Sequence, residues 1–150
     1  MQRKTSWWVL GSAVLMIVGA FGRWATVQGP AGPPLEWSGI NSSFHGWIIV
    51  AAAAIGCGLA VAMRRAPATG GWALAVGIAG IAVTARGHSQ IDHLIHLGRI
   101  HHYFVQGQLD WGFWLALAAS VSIAVAGVVA LIQARSRFRT RSASAPRSAI

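Results

Sequence analysis

Four long apolar stretches, separated by short polar segments, dominate the chain. The first covers residues 6–27 (SWWVLGSAVLMIVGAFGRWATV) behind a basic MQRK start. The second covers residues 46–63 (GWIIVAAAAIGCGLAVAM) and stops at Arg64-Arg65. The third begins near Trp72, but Arg86 interrupts it before it reaches the roughly 17–25 residues a helix needs to cross hydrocarbon. A span over residues 70–90 must therefore run on through Arg86, Gly87, His88 and Ser89. The fourth, residues 111–133, is long enough alone. The pattern predicts an all-α, four-helix transmembrane bundle over residues 1–134, followed by a basic, partly disordered tail over 135–150. Val18-Gly19-Ala20 is a weak cleavage signal, so the first run reads as an uncleaved anchor.

Two longer segments lie between these runs on one side. The first, VQGPAGPPLEWSGINSSF, carries Pro and Gly punctuation that prevents regular helix. The second contains IDHLIHLGRIHHYF, where a short interfacial helix is predicted after span three, ended by Gly98 with Arg99 at its negative dipole end.

Composition supports membrane insertion. Hydrophobic residues make up 55% of the chain and charged residues 10%, against about 25% charged in a soluble domain. The net charge of +9 sits between and beyond the apolar runs, so topology explains it without nucleic acid. Arg3, Lys4, Arg64, Arg65, Arg135, Arg137, Arg139, Arg141 and Arg147 fall on one side. Arg23, Arg86 and Arg99 fall on the other, with all three acids, Glu36, Asp92 and Asp110. The positive-inside rule then puts both termini in the cytoplasm. Trp7, Trp8 and Trp72 predict an aromatic belt at the inner interface; Trp24, Trp47, Trp111 and Trp114 predict one at the outer, with Trp37 in the outer loop. Every basic residue but Lys4 is Arg, a bias typical of GC-rich bacterial genomes, and the expected location is a bacterial plasma membrane.

Small residues recur at helical spacing. Ala73, Gly77, Gly80 and Thr84 share one face of span three opposite Leu74, Ile78 and Ile81, and Ala116, Ser120 and Ala124 form a matching stripe on span four. Gly19 and Gly22 sit near the end of span one. Such faces bring helices close in lipid, either within this bundle or against another membrane protein. No ionisable residue lies near the middle of a span, which argues against an ion-coupled transporter or channel. The hydroxyls of Ser12, Thr84, Ser120 and Ser122 are expected to bond within their own helices, and the single cysteine, Cys57, reads as a buried small hydrophobe.

All six histidines (His45, His88, His93, His96, His101, His102) fall on the outer side. In a continuous helix His88, Asp92 and His96 share one face, and His45 opens span two at similar depth. His45, His88, Asp92, His93 and His96 therefore form a candidate ligand set for zinc or copper, with Asp92 as a ligand or as an orienting partner. The alternatives are interfacial structure and a pH-sensitive contact, since imidazoles ordinarily titrate near pH ~6.5. Arg135, Arg137, Arg139 and Arg141 of the tail suit anionic lipid. Asn41-Ser42-Ser43 matches a glycosylation pattern that matters only in a eukaryotic secretory route.

FGRWATV, WSGINSSFHGWIIVAAAA and QGQLDWGFWLALAA resemble the small four-span, Trp-rich membrane proteins common in actinobacteria. In those a Trp closes span one, a Gly-Trp pair opens span two and a Gly/Trp-rich turn opens span four; here these are Trp24, Gly46-Trp47 and Trp111-Gly112-Phe113-Trp114. The resemblance implies no catalytic residue, and the histidine-rich segment departs from it. The expected role is a non-enzymatic accessory or assembly subunit of a larger membrane complex, in contact with other integral membrane proteins. An outer-face metal or redox protein and a small transporter or channel are the alternatives.

Overall fold

The computed structural model describes residues 2–29, 32–40, 45–65, 69–100 and 106–143. The chain runs α1 (Gln2–Phe21), β1 (Arg23–Gln28), β2 (Leu35–Ser38), α2 (Gly46–Ala62), α3 (Gly70–Ile100), β3 (Gln106–Leu109) and α4 (Trp111–Ala143). It is mostly helical, but not all-α: the strands form an antiparallel sheet in the order β2-β1-β3. The first apolar run thus divides between helix and strand. At Phe21 the helix ends, and the Gly22 N–H bonds back to Val18 O and Gly19 O. The residues beyond, rich in Trp, Thr and Val, suit a pleated half-buried surface.

Among the described residues three helices, not four, carry stretches long and apolar enough to cross a membrane: Lys4–Phe21, Gly70–Gly98 and Trp111–Ser136. Helix α2, with 17 residues, is shorter. At about 1.5 Å per residue it is about 26 Å long, against a hydrocarbon core of roughly 30 Å. Among the described residues no separate interfacial helix follows span three: α3 runs unbroken past Gly98 to Ile100. Likewise α4 carries residues 135–143 of the expected tail as helix.

The helices pack antiparallel, α1 against α2 and α4, and α3 against α2 and α4. Small residues set the separations. A Cβ on Gly19 would come 2.6 Å from Ala116 N, and one on Gly70 2.6 Å from Ala130 Cβ. Gly77 meets the Ala124 backbone, Gly80 meets Ser120 and Met16, and Gly127 meets the Leu74 backbone. Ala73, Gly77 and Gly80 are therefore spent on contacts inside this chain, not left open to a partner. Met16, Ile49, Ile91, Phe113 and Ile123 belong to the main core, and Val9, Ala60, Met63, Ala73, Ala126 and Ala130 form a second cluster towards the other end. Cys57 is only half-buried, at the edge of the main core.

Two hydroxyls behave differently from the sequence expectation. Thr84 and Ser120 do bond to carbonyls of their own helices, at Gly80 and Ala116. Ser12 and Ser122 instead bond to each other across α1 and α4 at 2.9 Å, and Trp8 Nε1–H donates to Ser122 at 2.7 Å.

The C-terminus of α2 shows how strictly backbone groups are satisfied. Met63 N–H bonds to Leu59 O, Arg64 N–H to Val61 O and Arg65 N–H to Ala62 O. The remaining carbonyl, Ala60 O, accepts from the Ser6 hydroxyl of α1. Every one of the last carbonyls thus has a donor, as a low-dielectric surrounding demands.

The glycine contacts predict a contrast. Gly127→Ala forces α3 and α4 apart and should destabilise by about 1–3 kcal/mol. Gly11, where an added Cβ meets nothing within 4 Å, should accept Ala with no loss. Thermal unfolding of both variants in the same detergent checks the pair; equal effects would contradict it.

Candidate functional site at the sheet end

Trp24 fixes this end of the molecule. A β-bulge between Arg23 and Ala25 turns consecutive residues, Trp24 and Ala25, into the core. Trp24 is 0% exposed, so it is not part of the outer aromatic belt that the sequence suggested. Its Nε1–H donates to Gly19 O at 2.9 Å and so caps the last turn of α1. Its ring meets Phe113 of α4 edge-on, with centroids 5.7 Å apart. Gly87 of α3 and Gly39 after β2 approach so closely that a Cβ on either would strike the indole. Trp47, Trp111 and Trp114 do stand exposed here, as Trp7, Trp8 and Trp72 do towards the opposite end.

The sheet packs on the part of α3 that lies beyond Arg86. Ile91 is fully buried, Ile95 lies against Gly107 of β3, and Leu94 and Leu109 join the same core. Polar contacts tie the strands to α4. Asp110 N–H continues the β1–β3 ladder by donating to Trp24 O at 2.9 Å. The Asp110 carboxylate accepts from Trp111 N–H and from the Thr26 hydroxyl, each at 2.8 Å. Arg23 bonds Glu36 on β2 at 2.6 Å and lies 3.7 Å from Asp110. The Trp111 N–H, the Thr26 hydroxyl and the Arg23 charge hold the Asp110 carboxyl below its ordinary pKa. The Glu36 hydrogen bond and charge, helped by Asp110, raise that of Arg23. Arg23 and Glu36 are about half exposed, so water screens their attraction and the pair acts chiefly as a geometric staple.

The described histidines distribute along this end without converging. His88 Nδ1 lies 2.8 Å from the Asp92 carboxylate, one turn on, and the imidazole packs edge-on against Phe113. His93 and His96 are exposed further along α3. His45 starts α2 in a left-handed conformation (φ 55, ψ 24) and caps it with no side-chain bond. Among the described residues no three His, Cys, Asp or Glu side chains come together as a metal site. Of the candidate set of His45, His88, Asp92, His93 and His96, only His88 and Asp92 are in contact, because one continuous helix α3 spreads its histidines along its length. His101, His102 and the Asn41-Ser42-Ser43 pattern lie outside the described residues, as do residues 144–150.

Arg23, Trp24, Thr26, Glu36 and Asp110 were not singled out as a site from sequence. The signals were present: RWATV and LEWS flank a Pro/Gly-rich turn, as a hairpin does, and Asp110 stands directly before an apolar run, as an N-cap does. No protein-family model matches the chain, and no curated protein gives a significant match.

Asp110→Ala should cost about 0.5–2 kcal/mol at neutral pH, the usual effect of losing an acidic helix cap. The folded carboxyl titrates below its ordinary value of about 3.9. Its stabilisation is therefore complete above that pH and disappears as pH falls through the folded value. Wild type and Asp110→Ala should then converge in acid, as thermal unfolding at neutral and at strongly acidic pH would show. Trp24→Phe loses the indole donor and part of the ring that fills this buried site, and should cost about 2–4 kcal/mol in the same assay.

Proposed function

We propose that this chain is a non-enzymatic bacterial plasma-membrane protein that serves as an accessory or assembly subunit of a larger membrane complex. Helices α1, α3 and α4 hold it in the bilayer, with α2 packed among them. Their outward faces support the membrane placement: Val14, Leu15, Val18, Ile55, Ile78, Val121, Val125 and Ile132 are exposed and apolar. Lys4, Arg64, Arg65 and Arg135 at the end away from the sheet favour a cytoplasmic position for that end and for both termini. The basic end of α4 suits anionic lipid, consistent with Arg135, Arg137, Arg139 and Arg141 in its last turns.

The observation that carries the subunit reading is the cap at the sheet end. The chain builds a braced platform at this end from three strands and the far end of α3. A braced, polar surface outside the bilayer is suited to docking. Purification in mild detergent should yield a stoichiometric partner that Glu36→Lys, which reverses a charge on that platform, reduces. A solitary, fully stable monomer recovered from native membranes would overturn the reading.

An outer-face metal or redox role has one observation in its favour, the His88–Asp92 contact, which orients the imidazole as a carboxylate hydrogen-bonded behind a metal-binding histidine does. Elemental analysis of the purified protein, with His88→Ala/His96→Ala beside it, decides that alternative. Stoichiometric zinc or copper lost in the variant supports it, and metal-free protein ends it.

A further inference from the structure

We infer that the α1–α2 seam at the basic end is a binding site for the phosphate of an anionic phospholipid, with Arg64 as its principal donor. The inference rests on the membrane placement proposed above and not on the existence of a partner subunit.

Arg64 is held in place before any ligand arrives. Its Nε–H donates at 3.2 Å to the hydroxyl of Ser6, a fully buried side chain that in turn donates to Ala60 O. Its guanidinium carbon lies 4.6 Å from the centre of the Trp7 ring, within the range of a cation–π contact. The Nε bond and the indole fix the plane of the group while its terminal nitrogens keep their donors, the planar fork that matches two phosphate oxygens. Arg65 follows directly, and Lys4 lies in the first turn of α1, two residues before Ser6; both are exposed.

Charge balance points to an external anion. The chain has three acidic residues. Glu36 is on β2, Asp110 precedes α4, and Asp92 is on the far half of α3, so all three belong to the sheet end. The basic end has no carboxylate side chain to pair with Arg64. Trp7, itself exposed, is the kind of side chain that settles at headgroup depth. An aromatic-backed guanidinium at that depth meets a lipid phosphodiester, whereas a free phosphate would favour a water-filled pocket.

The test uses the full chain in mild detergent, titrated with phosphatidylglycerol or phosphatidylcholine, with retained lipid counted by native mass spectrometry. Phosphatidylglycerol should be retained about tenfold better than phosphatidylcholine, and Arg64→Gln should reduce its retention about fivefold, the scale of one basic residue at a membrane surface. Arg64→Lys, which keeps the charge but not the planar fork, should fall between them. Equal retention of both lipids, or an Arg64→Gln protein indistinguishable from wild type, overturns the site. Displacement of the lipid by millimolar inorganic phosphate also overturns it, since the site then recognises a free anion. If Arg64→Gln does not fold, Arg65→Gln and Lys4→Gln carry the test: a two- to threefold loss is expected, and no change in either refutes the proposal. Loss of lipid preference in a chain still embedded in bilayers removes the site alone. A chain that does not partition into bilayers removes the membrane placement with it.

Discussion

The indole of Trp24 occupies the point where two neighbouring helices both give way to strands. Helix α1 stops at Phe21 and α4 starts at Trp111, so Gly22 and Gly112 come together with no side chain between them. The same antiparallel pairing then runs on through Trp24 O and Asp110 N–H into the β1–β3 ladder. A helix that ends inside a bundle exposes carbonyls with no donor of their own. Trp24 supplies one donor from its side chain, fills the space above the helix end, and leaves its backbone free to pair with β3. Gly39 and Gly87 are small because that ring lies against them.

The two ends of the bundle solve the same backbone problem with different chemistry. At the sheet end, strand pairing and the Asp110 cap satisfy the chain after it leaves helix, and the charges are internally paired through Arg23, Glu36 and Asp110. At the basic end, Ser6 closes the last turn of α2 and positions Arg64, but no acidic side chain answers the positive charge. Acidic side chains answer part of the positive charge at one end and none of it at the other. That asymmetry underlies both the proposed topology and the proposed lipid site.

Much of the packing was legible in the sequence. The stripe of Ala73, Gly77, Gly80 and Thr84 is turned inward, and Ile78 is exposed on the other side, as 3.6-residue spacing requires. The side chains of Ser12 and Ser122 were misjudged, because an intrahelical bond and an interhelical one are equally compatible with a lone serine on an apolar helix. The candidate histidine set shows a different limit: sharing a helical face at i, i+4 and i+8 aligns residues over more than two turns, and alignment is not convergence. His88 reaches Asp92, but the third and fourth ligands have to come from another segment, and His45 does not supply one within a three-ligand group.

By itself the sequence determined the four apolar segments, the segregation of acids from most of the basic residues, and the inward faces of α3 and α4. These follow from local composition and from a period that repeats along one segment. Tertiary structure decided where α1 ends, that RWATVQ and LEWS are strands, that Trp24 is a core residue and not an interfacial anchor, and that α3 continues as the support of a sheet. Each of those depends on a partner distant in sequence: β3 for β1, Gly87 and Phe113 for Trp24, Gly107 for Ile95. Hydropathy averages over such short strands and reads RWATV as the end of a helix. Pairing with β2 on one side and, across about 80 residues, with β3 on the other gives its backbone groups the partners that make it a strand.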